Sequence, residues 1–167
     1  NNWHLARDAS DVAWLLLDKA GASANVLSEE VLRELGEVIE SLQDEMPRAL
    51  VIRSAKPGSF CVGADISEFR QLHNERDVIN KLSDAHILIQ QLADLPCPTI
   101  AVIHGAALGG GLELALCCDY RLAIHGASFG LPEILLGLHP GLGGTARLPA
   151  LIPPLDAMQM MLTGKNT

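Results

Sequence analysis

The stretch from His104 to Asp119 constrains this chain more than any other. It follows Thr99-Ile100-Ala101-Val102-Ile103, a β-branched apolar run entered through Pro96 and Pro98, which predicts a buried strand. Gly105 and Gly109-Gly110-Gly111 then predict a tight turn. Leu112 to Cys118 predicts a helix that is apolar on every side. Such a helix is buried. Yet Glu113 stands near its start, and a buried carboxylate without partners is costly. Two readings are open. Glu113 caps its own helix end, or it faces a ligand. In the second case the glycines let the ligand approach the backbone, and free N–H groups form an anion site.

At 167 residues the chain is one domain or part of one, and 49% apolar residues suffice for a sizeable core. No apolar run approaches the ~20 residues of a membrane span. The N-terminus lacks a basic region followed by an apolar one, so no signal peptide is expected. Cys61, Cys97, Cys117 and Cys118 have no CxxC spacing. They read as small core residues in a reducing compartment, without a disulfide framework. The net charge of −8 argues against a nucleic-acid surface. It also disfavours an anionic ligand unless basic residues cluster locally. The six histidines lack HExxH or paired zinc spacing, so no metal is expected.

The flanking sequence predicts an α/β domain. Val12–Leu17 reads as a strand and Lys19–Asn25 as a small-residue loop. Ser28 caps a helix with Glu29 and Glu30 in its first turn and a stripe of Val31, Leu32, Leu35, Val38, Ile39 and Leu42. Ala49–Ile52 is a short buried strand, and Lys56-Pro57-Gly58-Ser59 a turn. Asp65 and Glu68 have capping-box spacing, which places the Ala64 N–H just before another helix start. Arg70–Asp77 is polar and expected to be exposed. Val78–Ala93 is an amphipathic helix with Ile79, Leu82, Ala85, Ile89 and Leu92 on one face and His86 on its surface or core edge.

After the glycine stretch, Tyr120–Ile124 reads as a strand. Glu133, after Pro132, is a second isolated carboxylate among apolar residues, in the position of a first-turn glutamate. Gly141-Leu142-Gly143-Gly144-Thr145-Ala146 formally matches GxGxxA but lacks a preceding strand and a suitably spaced acidic residue. It reads as a turn with Thr145 capping the next helix. Leu155–Leu162 is helical.

Three segments in order resemble the crotonase (enoyl-CoA hydratase/isomerase) superfamily. They are Ser59–Ile66, Gly105–Ala115, and Phe129–Gly137 with Pro140–Thr145. The resemblance covers essentially the whole chain. Lys56–Phe60 and the run from Arg147-Leu148-Pro149 to Leu162-Thr163-Gly164-Lys165 are most similar to the hydratase part of the multifunctional fatty-acid oxidation complex α-subunits.

The resemblance implies a spiral of ββα units. It also implies hydration of 2-trans-enoyl-CoA to 3-hydroxyacyl-CoA in fatty-acid β-oxidation. Glu113 would act as base on a water and Glu133 would exchange the proton at Cα. The Ala64 and Gly110 N–H groups would hold the thioester oxygen. Two such carboxylates in an apolar pocket titrate as a coupled pair, one of them protonated near neutrality. Ala22, Ala24 and Ile66 would line the coenzyme A site. Lys56 is either a phosphate contact there or a solvated turn lysine.

The thioester is substrate, and no cofactor is implied. NAD belongs to a dehydrogenase domain of the multifunctional relatives. A thiolase subunit and a second copy of the chain are the implied protein partners. The implied location is the bacterial cytoplasm, or the mitochondrial matrix in a eukaryote. Residues 1–167 match the N-terminal part of a crotonase domain, so C-terminal helices that cover the acyl pocket are expected to be absent and apolar surface exposed. The alternatives are a Δ3,Δ2-enoyl-CoA isomerase, thioester hydrolysis, and a CoA-ester binding or assembly module without turnover.

Overall fold

The computed structural model describes residues 1–69 and 74–167. Its first half runs β1 (Trp3–Arg7), β2 (Val12–Leu17), α1 (Glu29–Asp44), β3 (Ala49–Ser54), β4 (Ser59–Cys61), α2 (Ile66–Phe69) and α3 (Glu75–Ala93). Then come β5 (Thr99–Ile103), β6 (Ala106–Leu108), α4 (Gly110–Cys117), β7 (Tyr120–Ala123) and β8 (Ser128–Gly130). A 3₁₀ turn (Pro132–Leu136), α5 (Gly144–Arg147), a second 3₁₀ turn (Leu148–Ala150) and α6 (Pro154–Thr163) complete the order.

A five-stranded sheet has the order β1-β2-β3-β5-β7, with β1 antiparallel to β2 and the other pairs parallel. A second sheet, β4-β6-β8, is wholly parallel. Each of β3, β5 and β7 passes directly into a strand of the second sheet. After β4 and β6 the chain returns through helices, because parallel neighbours require a crossover. This repeated ββα step is the expected spiral. The core between the elements contains Leu15, Leu17, Leu50, Ile52, Ala101 and Ile103, all fully buried.

α1 follows its sequence closely. Ser28 Oγ accepts the Val31 N–H at 3.3 Å, and Val31, Leu35, Ile39 and Leu42 are buried. β2 and β5 are where the apolar runs predict them, and β3 extends two residues past Ile52. The four cysteines are free and buried, and burial pushes the Cys61 thiol up to about 12.

Several elements differ from the sequence expectation. β1 is a strand because it registers with β2 from Trp3↔Leu17 to Arg7↔Ala13, although only Trp3 along it is buried and no alternation marks it. β4, β6 and β8 are three residues each, too short to leave a period. The glycine stretch is therefore not one turn. It holds strand β6, and α4 begins at Gly110 rather than Leu112. α3 begins at Glu75, where Asn74 Oδ1 accepts the Asp77 N–H at 3.0 Å. Its apolar face divides, with Ile89 and Leu92 buried but Ile79 and Leu82 exposed. His86 is exposed on its surface. Asn74, Glu75 and Arg76 are exposed as expected, while residues 70–73 of the same polar segment lie outside the described residues.

Leu135 on the first 3₁₀ turn and Leu155 on α6 are 70% and 78% exposed, so apolar surface is open on these two elements. Among the described residues no helix is long and apolar enough to cross a membrane.

Candidate functional site

Every residue of α4 is buried, and Glu113 in its first turn is only 2% exposed. Its carboxylate does not cap α4. Oε1 accepts the N–H groups of Leu142 at 2.8 Å and Gly144 at 2.7 Å, and so caps α5. This corrects both the own-end reading of Glu113 and the expected Thr145 cap. Thr145 is exposed within α5, and no side chain at the Gly143 cap position makes a capping bond. A buried carboxylate takes the unsatisfied N–H groups that tertiary packing brings to it. Here they lie 29 and 31 residues away. Burial pushes the Glu113 carboxyl above the ordinary carboxylate range. The Gly144 and Leu142 N–H groups, then the charges of Arg147 and His86, pull it back.

Glu133 occupies the expected first-turn position after Pro132, in a 3₁₀ turn. Its Oε2 is buried without a hydrogen-bond partner, the only side-chain nitrogen or oxygen in that state among the described residues. Its Oε1 lies against Gly109, where a Cβ would approach it to 3.0 Å. Burial pushes this carboxyl up as well. Its own backbone N–H opposes that shift, the nearby Glu113 adds to it, and His139 reduces it.

The two predicted N–H groups come together across the β4–α4 junction. Leu27 bridges to Ala64 through its own N–H to Gly63 O at 2.8 Å and through the Asp65 N–H to Leu27 O at 3.1 Å. A residue bridged this way in a parallel pair turns its own N–H to the other side. Gly110 opens α4, so its N–H has no intrahelical acceptor. A Cβ on Gly110 would lie 3.8 Å from the Ala64 nitrogen.

Gly109 makes this junction possible with φ 52° and ψ −132°, a region close to glycine-only. Gly109→Ala is therefore expected to cost about 2 kcal/mol of stability, through backbone strain and pressure on Glu133. Thermal unfolding checks this, with a drop in Tm of roughly 4–8 °C expected for a domain of this size.

The Asp65–Glu68 capping box is only half formed. Asp65 Oδ1 accepts the Ser67 N–H at 3.1 Å. Glu68 instead accepts the Glu29 N–H at 3.0 and 3.2 Å and caps α1, while the Asp65 N–H that a capping box would offer it is donated to Leu27 O. Ala22 and Ala24 are half-buried and Ile66 is exposed. Their segments are brought together. The Val62 N–H donates to Asn25 O at 2.9 Å, and Lys19 Nζ is 3.6 Å from Asp65 Oδ2.

Lys56 is neither solvated nor free. Its Nζ pairs with Asp18 at 2.6 Å and donates to Lys19 O at 2.9 Å, so its charge is already committed. Asn25, which the sequence did not single out, is fully buried. It donates to Leu17 O, Ser54 Oγ and Phe60 O and accepts the Lys19 N–H. It thereby ties the ends of β2, β3 and β4 beneath the Ala64 turn. Its only signal was a small polar residue between an apolar strand and a capped helix. Among the described residues no three His, Cys, Asp or Glu side chains are grouped to hold a metal ion.

The fatty acid oxidation complex subunit alpha of Vibrio cholerae serotype O1 is 42% identical over 170 residues, covering 99% of this chain and 24% of that protein. The subunit of the same description from Aliivibrio fischeri is 40% identical over 164 residues, covering 96% and 24%. The chain thus spans about a quarter of the length of these relatives. The crystal structure of an enoyl-CoA hydratase from Bacillus anthracis superposes with a TM-score of 0.90 at 37% identity, covering 99% of this chain and 64% of that one. The fold is the crotonase spiral. The enoyl-CoA hydratase/isomerase profile matches residues 10–167, a span that holds Glu113, Glu133 and the glycine junction, and the chain belongs to that family.

Proposed function

We propose that the protein hydrates 2-trans-enoyl-CoA thioesters to 3-hydroxyacyl-CoA in fatty-acid oxidation, with Glu113, Glu133, Ala64 and Gly110 as its working groups. The observation that carries this reading is the Glu133 Oε2, buried and unpartnered beside a second buried carboxylate. An unsatisfied buried carboxylate is expensive, and a site that must move protons gives it a use.

Glu113 takes a proton from water as the water oxygen bonds to Cβ. The electron pair of the double bond moves onto the thioester oxygen. That oxygen gains enolate charge against the Ala64 and Gly110 N–H groups, at about 3 kcal/mol for each well-placed donor. The Glu133 carboxyl then delivers its proton to Cα and the thioester reforms. The upward push of burial favours the protonated Glu133 carboxyl that can donate, while on Glu113 it makes the carboxylate more basic and the Gly144 and Leu142 N–H groups favour its ionised form.

The same Glu133 can carry a proton between Cα and Cγ, so Δ3,Δ2-isomerisation is a second reading supported by the same oxygen. No step calls for a cofactor. Coenzyme A contacts at Ala22, Ala24 and Ile66, an NAD-binding dehydrogenase domain, a thiolase partner, self-association and a bacterial cytoplasmic location remain part of this proposal. The test is an assay of crotonyl-CoA hydration alongside acyl-CoA titration of the intact protein. Turnover supports the enzyme, and saturable binding without turnover makes it a binding module.

A further inference from the structure

We propose that Arg147 is a positioning residue for the Glu113 carboxylate, acting by clamping the Gly141–Gly144 loop between α5 and α3. The inference rests on the hydratase reading and names a group that acts through another. Glu113 is held by two N–H groups of that loop, so the loop sets where the carboxylate points.

The loop has few restraints of its own. It is rich in glycine, and Gly143 sits at φ 101°. Arg147 supplies the restraint with its planar fork. Nη1 donates to Leu142 O at 2.9 Å, and Nη2 donates to Gln90 Oε1 on α3 at 3.0 Å. The residue whose N–H holds Glu113 thus has its carbonyl held by Arg147. Gly143 also leaves the space the guanidinium fills, since a Cβ there would fall 2.1 Å from Nη1. A rigid fork with separate donors can bridge two acceptors in a fixed geometry, whereas an ammonium offers a point charge on a flexible stem.

Two properties follow, and they separate by substitution. The guanidinium charge favours ionised Glu113, and the fork aligns it. Arg147→Gln removes both, while Arg147→Lys keeps the charge and loses the fork.

In the intact protein, Arg147→Gln is expected to lower hydratase kcat about tenfold with little change in KM, the scale of a small misplacement of a reacting group. It should also move the acid limb of the pH–rate profile to higher pH. Arg147→Lys should return that limb to its original position while kcat stays low. Guanidinium in solution should partly rescue Arg147→Ala.

A carboxyl infrared titration, with Glu113→Gln as the assignment control, reads the shift without turnover. It therefore separates failure of this inference from failure of the hydratase reading. An unchanged Glu113 titration in Arg147→Gln overturns the inference, as does a kcat equal to that of the parent. Should Arg147→Gln not fold, Gln90→Leu removes only the outer anchor. A several-fold drop in kcat then supports the clamp, and an unchanged kcat overturns it.

Discussion

Glu113→Gln and Glu133→Gln should each lower hydratase kcat at least about 100-fold, the scale of lost acid–base catalysis, while the fold persists. In Glu113→Gln the new amide oxygen can still accept from the Leu142 and Gly144 N–H groups, so the cap on α5 survives. What disappears is the charge. Burial holds the folded-state pKa of Glu113 above its ordinary value, so in the window just above that value the folded protein binds more protons than the unfolded chain. Stability from this group is therefore greatest at low pH and falls as pH rises through the window. Glu113→Gln removes that fall, and its stability relative to the parent should grow from acidic to neutral pH. Denaturant unfolding at several pH values measures this, beside crotonyl-CoA turnover. Near-parental turnover in either variant would remove that glutamate from the mechanism. Isomerase activity, where present, should depend more on Glu133 than on Glu113.

An ester in place of the Gly110 amide should lower kcat by roughly 10²–10³, the effect of losing one preorganised oxyanion donor. The N–H in question opens α4 and has no helical acceptor, so its deletion breaks no backbone bond of the helix. Semisynthesis makes this change without adding a side chain at the crowded junction beside Leu27 and Leu142. The readout is the absorbance shift of a bound chromophoric enoyl-CoA, which reports polarisation of the thioester. An ester at Ala115, inside the same helix, is the control. It weakens α4 but should leave polarisation intact. An unchanged shift with the Gly110 ester in a folded protein would take that N–H out of the site.

Features with a local cause are legible along the chain. Ser28 caps α1 from three residues away, and the stripe from Val31 to Leu42 follows from helical period. The apolar runs of β2 and β5 and the burial of α4 follow from composition along the chain. The oddity of Glu113 and Glu133 is visible because charge is rare in apolar segments.

Other features depend on contacts between distant segments. β1, β4, β6 and β8 exist because those segments offer hydrogen-bond partners, not because three or five residues carry a period. Glu113 and Glu68 each look like caps of their own helices, and each caps another. A carboxylate is satisfied by whichever donors the fold brings near, and sequence spacing records only the neighbours along the chain. Lys56 is committed to Asp18 and to a loop carbonyl for the same reason. Neither glutamate's pattern shows that the two stand close enough for one charge to disfavour the other. That proximity arises only when the spiral sets α4 against the turn at Pro132.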